Sequence, residues 1–267
     1  AVPLIGRMPV IGFFEDLFAV LVVVGIAMFA VIRIKRNPAK LGRESRFFGS
    51  HTGAAWLVLF MIFNVIWTLL LYRGAQINVS AEKGTRNFPF TDGGAFASEA
   101  VAKLLHPLGA TANEWLETIG LWLNIGVILG FLLFVLNSKH LHIGAAPLNI
   151  LFSRRPNALG PLLPMYAGTT EVNFEDPQDD ALFGRARIED FTWKGNLDML
   201  ACTECGRCQS QCPAWNTGKP LSPKLMVMDL RDHLFSKAPY VLAADDAKPE
   251  LDEANRPLVG DRSSDPN

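Results

Sequence analysis

Outside one window of eleven residues the sequence has no cysteine: Cys202, Cys205, Cys208 and Cys212 all lie in "CTECGRCQSQCP". It also lacks a surplus of positive charge, with 25 Lys+Arg against 26 Asp+Glu. Basic residues concentrate only beside apolar runs, so nucleic acid is excluded as a partner. Alternating strand patterns are scarce and no internal repeat is visible, which points to an all-α architecture. An initiating Met is absent, and "AVPLIGRMPV" lacks the charged and apolar regions of a signal peptide. With the polar ending "DEANRPLVGDRSSDPN", both ends read as cuts through a longer polypeptide.

What is present falls into two unlike halves. Apolar residues make up 49% of the chain and mean hydropathy is +0.20, too oily for an ordinary soluble protein and too polar for a pure membrane bundle. Residues 1–143 carry a net charge of +4 and residues 144–267 a net charge of −5. The first half contains three uncharged runs of membrane-crossing length, at about 13–34, 52–72 and 118–138. The first reaches back to Phe13 only if Glu15 and Asp16 sit at the interface. Trp56, Trp67 and Tyr72 lie near the ends of the second, where amphipathic rings prefer headgroups. Arg33, Lys35, Arg36, Lys40, Arg43 and Arg46 crowd the first connection, and Lys139, Arg154 and Arg155 follow the third run. The excess of positive charge on one side predicts a multi-pass protein of the cytoplasmic (inner) membrane, with residues beyond Ser138 in the cytoplasm. In the outer connection, Phe96, Ala100, Leu104 and Leu105 have helical spacing and predict a short helix on the membrane surface; His106 is read as part of that lid.

The spans and their flanks define an anchor over 1–143. Residues 144–190 read as an irregular linker, broken by prolines at 147, 156, 161 and 164 and then acidic. Residues 191–240 read as a cluster-binding domain, and 241–267 as a polar tail. Helices are expected to bracket the cysteines: one ending around Asn196–Ala201, the other capped by Ser222 with Pro223 at its first position. Leu225, Met228, Leu230, Leu234 and Phe235 give the latter an apolar stripe.

Cys-x2-Cys-x2-Cys-x3-Cys-Pro is the spacing of a bacterial iron–sulfur ligand run. Iron in a sulfide-bridged cluster is soft and takes thiolates. The short gaps let one turn present three of them, Gly206 lets the loop bend, and Pro213 ends the turn. A zinc knuckle spaces its ligand pairs farther apart, and a disulfide is out of place in a reducing compartment. The reading is a metal site of Cys202, Cys205, Cys208 and Cys212 holding [4Fe–4S]. With a single run in the chain, either all four thiolates close around one cluster or Cys212 is lent to a second, whose own run lies elsewhere in a longer polypeptide. Trp193, Trp215 and Met226 are expected to shield the site from water.

Histidines at the span ends are candidates for haem b: His51 opens the second span, and His140 and His142 close the third on the same side. The latter two lie about 200° apart on a continuous helix, so they share a face only if the helix has ended. Asn64 and Asn124, within the spans, read as hydrogen-bonding glue between helices.

Two segments resemble known families. "SKHLHIGAAPLN" resembles the end of the last helix in nitrate-reductase gamma-subunit-like cytochromes b. That likeness implies a haem ligand at His142; where the family has a second ligand, about eighteen residues upstream, this chain has Asn124, and where the family has five spans, three are found here. "FTWKGNLDMLACTECGRCQSQCPAWNTGKPLSPKLMVMDLRDHL" resembles the α-helical ferredoxin segment of heterodisulfide-reductase-like iron–sulfur reductases. The combination is similar to the membrane-bound electron-transfer-flavoprotein dehydrogenases of actinobacteria. It implies electron flow from reduced electron-transfer flavoprotein, fed by acyl-CoA oxidation, through cytoplasmic clusters to menaquinone among the membrane lipids. A heterodisulfide-, lactate- or glycerol-phosphate-type reductase with another donor is the near alternative. A zinc-binding anchoring or assembly protein is the distant one.

Overall fold

The computed structural model describes residues 8–84, 94–136, 138–153, 164–167, 170–176, 184–185, 187–249 and 258. The chain is mostly helical with almost no strand, and it divides into two compact units, Ala1–Ser138 and Lys139–Asn267.

In the first unit, three helices are long and apolar enough to cross a membrane. Helix α1 spans Pro9–Lys35, with a proline at its first position and Arg33 and Lys35 in its last turn, where cations complement the carbonyl end. A short α2 at Pro38–Leu41 follows, capped by the Asn37 side chain. Helix α3 runs Thr52–Lys83 and stops at Gly84, which adopts the left-handed conformation common at helix ends. Helix α4, Phe96–Leu105, leads through a 3-10 turn at His106–Leu108 into α5, Gly109–Leu136. Helix α3 is the centre of this unit and packs on α5, α4 and α1. The outward faces stay apolar: Phe18, Met28, Trp122 and Leu133 are all more than half exposed. That is the surface a helix offers to hydrocarbon.

The second and third helices are longer than their uncharged runs. At 32 residues α3 continues through Arg73 to Lys83, so a charge that reads as a span terminus is internal. Arg73 is buried and its guanidinium meets Glu15 at 3.0 Å and Asp16 at 3.3 Å. Asp16 is correspondingly fully buried. It accepts the Ser98 backbone N–H at 2.8 Å and the Ser98 hydroxyl at 2.9 Å. A carboxylate on α1 thus supplies the N-terminal cap that Ala95 cannot give α4. The predicted surface helix is present, but Ser98 and Ala102 form its buried face while Phe96, Ala100 and Leu104 point outward. Asn124 does bridge helices, donating to the Val65 carbonyl and to Thr68 Oγ1, both at 2.9 Å. Asn64 bonds within its own helix, to the Phe60 carbonyl.

Close packing of α3 on α5 rests on Gly120. A Cβ placed there would stand 3.0 Å from the Tyr72 Cβ and 3.2 Å from its backbone N, whereas a Cβ at Gly126 meets nothing within 4 Å. Gly120→Val is therefore expected to destabilise the anchor by about 1–3 kcal/mol through overpacking. Gly126→Ala should leave it unchanged or slightly firmer. Thermal unfolding in detergent separates the two.

In the second unit, a 3-10 turn at Lys139–Leu141 leads into α6, His142–Leu151. The expected irregular segment is thus helical at its start, Pro147 notwithstanding, because α6 lays Ala145 inward and packs on the next helix, α7 at Trp193–Leu200. Residues 154–163 of that segment lie outside the described residues. A two-residue antiparallel pair, β1 (Tyr166–Ala167) with β2 (Thr170–Glu171), and a 3-10 turn at Ile188–Asp190 are the structure seen in the acidic stretch. After α7 come α8 (Arg207–Gln211), α9 (Pro213–Asn216) and α10 (Pro223–Leu242), with α10 packing on α7 and α8.

Candidate functional site

The cysteine run starts where α7 ends and wraps through two short helices. Thr192 caps α7, accepting the Gly195 N–H on its hydroxyl, so Cys202 is delivered at the helix's far end. Two left-handed residues follow in quick succession, Glu204 at φ 55° and Gly206 at φ 76°. They turn the chain into α8, which carries Cys208; Cys212 closes α8 and Pro213 opens α9. None of the four is in a disulfide; Cys205 and Cys208 are exposed and Cys202 and Cys212 half-buried. The loop gathers them on one short stretch without closing them on a point. Among the described residues, no three His, Cys, Asp or Glu side chains are placed to hold a metal ion.

What the loop does have is a built foundation. The Glu204 side chain is fully buried, with Oε2 at 3.0 Å from Lys139 Nζ and Oε1 at 2.7 Å from Arg231 Nη2. Arg231 also reaches the Cys202 carbonyl at 3.4 Å and the half-exposed Asp232 at 3.1 Å. Burial weakens the Arg231 cation, but the Glu204 and Asp232 carboxylates outweigh it and raise its affinity for the proton. Lys224, 1% exposed, sits in the first turn of α10. Burial pushes its ammonium down to about 8, against the pull of Glu204, Cys208 and Cys202, while Lys139 works in the same direction as burial. Among the described residues, three buried cations thus stand against one buried carboxylate around the run.

A second feature is Gln209, fully buried on α8. Its Oε1 accepts the Ser222 hydroxyl at 2.8 Å, and Ser222 caps α10 by accepting the Leu225 N–H at 3.2 Å. Its buried Nε2 has no hydrogen-bond partner among the described residues. Soft thiol donors, a buried excess of positive charge and an orphaned N–H donor all suit a net-negative, sulfur-rich guest such as an iron–sulfur cluster.

None of Glu204, Gln209, Lys139, Lys224 and Arg231 was legible as a site residue. The apolar stripe of α10 is partly exposed apart from Met228, and the buried residues of the helix are Lys224, Met228, Arg231 and Lys237. Lys224, Met228 and Arg231 are spaced four and three apart, so a cation-bearing face was present in the helical period. Of the three residues expected to shield the site, Trp215 is buried, while Trp193 and Met226 are exposed; Trp193 stacks edge-on against Phe152 at 5.3 Å.

The histidine pair is brought together. The long helix ends at Leu136, and the tighter turn that follows sets the His140 and His142 rings 5.8 Å apart. His142 Nδ1 lies 2.8 Å from the Lys139 carbonyl, which only accepts. Nδ1 is therefore the donor in this contact, which leaves Nε2 as the ring nitrogen that could face a metal. His51, in the other unit, is exposed at the start of α3.

No protein-family model matches the chain, and no solved structure matches it. Curated proteins do. It is 34% identical over 245 residues, 88% of this chain, to a probable iron–sulfur-binding oxidoreductase, FadF, of Bacillus subtilis. It is 30% identical over 250 residues, 89% of this chain, to an EtfAB:quinone oxidoreductase of Syntrophomonas wolfei. Half of it is 33% identical to 21% of a probable membrane-anchored ferredoxin of Chromohalobacter salexigens. The chain spans 31% of the length of each of the first two. By these similarities the chain is related to membrane-associated iron–sulfur oxidoreductases of electron transport.

Proposed function

We propose that this chain is the membrane anchor and one cluster-binding segment of a longer quinone-reducing oxidoreductase. In this reading Cys202, Cys205, Cys208 and Cys212 ligate [4Fe–4S], with Cys212 serving a second cluster whose other ligands lie elsewhere in the polypeptide. Reduced electron-transfer flavoprotein is the donor and menaquinone the acceptor, the cysteine-bearing unit facing the cytoplasm of the inner membrane. His142 offers Nε2 to haem b.

The observation that carries the reading is a four-thiol run set among three buried cations, on a chain with three membrane-length helices. Similarity along 89% of the chain to an EtfAB:quinone oxidoreductase supports the donor and the acceptor. A cluster bound here supplies one-electron storage at a fixed site. The residues around it set the terms of that storage: Lys139, Lys224 and Arg231 favour negative charge, Glu204 opposes it, and buried Trp215 keeps water out.

Absorbance of the purified chain tests the proposal. A broad band near ~400 nm that bleaches with dithionite is expected for protein-bound iron–sulfur, and Cys208→Ser should abolish most of it. A colourless protein containing zinc would overturn the reading. Sharp reduced haem bands, lost in His142→Ala while the broad band persists, are expected for haem at His142; their absence from the wild type removes His142 from the site.

A further inference from the structure

We propose that the side-chain amide of Gln209 is a dedicated hydrogen-bond donor to the sulfur atoms of the iron–sulfur site, and that it sets the site's reduction potential. This rests on the reading of the four cysteines as cluster ligands.

The orientation of the amide is dictated by its neighbours. Ser222 has one hydroxyl hydrogen, and its oxygen already accepts the Leu225 N–H as the cap of α10. That hydrogen goes to Gln209 Oε1 at 2.8 Å. The carbonyl end of the amide is thereby pinned to the start of α10, and the NH2 end is turned away from it. Nε2 is nevertheless buried, with no acceptor among the described residues. An orphaned amide donor in a fully buried residue is destabilising, and native chains retain such a group where something outside the chain accepts from it. Its position names the acceptor. Gln209 directly follows Cys208, and Cys212 lies one turn further on. The acceptor chemistry concentrated there is thiolate and sulfide sulfur. Hydrogen bonds to those atoms stabilise the more negative, reduced state and raise the potential. Cys205 and Cys208 are exposed, whereas an acceptor on the interior side has only what the chain supplies.

The test is a redox titration of the full chain in detergent, followed by electron paramagnetic resonance, on wild type, Gln209→Met and Gln209→Glu. Methionine keeps the bulk and removes both N–H groups; glutamate keeps the shape and the acceptor for Ser222. Both variants are expected to retain iron and sulfide. Gln209→Met should hold about tenfold less reduced cluster at a fixed poise, a downward shift of about 59 mV for a one-electron couple, and Gln209→Glu should shift at least as far. Unchanged potentials in loaded variants would overturn the inference and leave the cluster reading intact. Loss of cluster from both, with helicity retained, also overturns it, since a tuning donor is not needed for ligation. A wild type without iron sinks both, and is recognised before any variant is compared.

Discussion

Glu204→Ala is expected to destabilise the second unit by about 3–5 kcal/mol, more than any other change to the cysteine loop's surroundings. The carboxylate is fully buried and meets Lys139 at 3.0 Å and Arg231 at 2.7 Å. Removing it leaves Lys139, Lys224 and Arg231 buried with no buried counter-charge. Such a loss falls on the partners left behind, which are charged and desolvated, rather than on the residue removed. Two controls isolate that cause. Glu204→Gly removes the same carboxylate but relaxes a backbone held at φ 55°, so it should be milder than alanine by about 1 kcal/mol. Glu204→Gln combined with Lys139→Met should cost less than the sum of its parts, because one orphaned cation has been taken away. Denaturant unfolding followed through buried Trp215 reads all of these. A Glu204→Ala variant within about 0.5 kcal/mol of wild type, the range of ordinary surface substitutions, would show that the network does not hold the loop.

The contrast between what was and was not legible follows the range of the interactions. Cysteine spacing is a local pattern, as are the Ser222 cap with Pro223 and the apolar runs, and these appear at the expected places. Local pattern does not reveal a charge that is cancelled by a residue far away in the chain. Arg73 reads as a terminus until Glu15 and Asp16 are brought beside it. On α10 the apolar stripe is not the most deeply buried face: Lys224 and Arg231 turn inward because the element they face is a polar loop with a buried carboxylate. The histidine pair turned on whether the helix had ended: a 3-10 turn after Leu136 brings His140 and His142 side by side, although about 200° would separate them on a continuous helix. Pro147 did mislead, as a helix breaker inside a helix that tertiary packing retains.

In the anchor the largest expected effect is that of Asp16→Ala. Three interactions converge on this fully buried carboxylate: the Arg73 guanidinium at 3.3 Å, the Ser98 N–H at 2.8 Å and the Ser98 hydroxyl at 2.9 Å. Alanine removes a buried counter-ion, which costs about 3–5 kcal/mol, and uncaps α4, which adds about 1 kcal/mol. Arg73 keeps Glu15 at 3.0 Å, but that carboxylate is half-exposed and neutralises less. Asp16→Asn should be milder, since its amide oxygen still accepts from Ser98. Adding Arg73→Met to Asp16→Asn should then recover stability relative to Asp16→Asn alone, because the only charge left without its partner is the half-exposed Glu15. If Arg73 were a span terminus addressing headgroups and water, Arg73→Met by itself would be nearly neutral. In the packed arrangement it strands Asp16 and costs several kcal/mol. Thermal unfolding of the four variants in detergent decides between the two accounts, and raising the salt should not rescue the losses, because the pair is shielded from solvent.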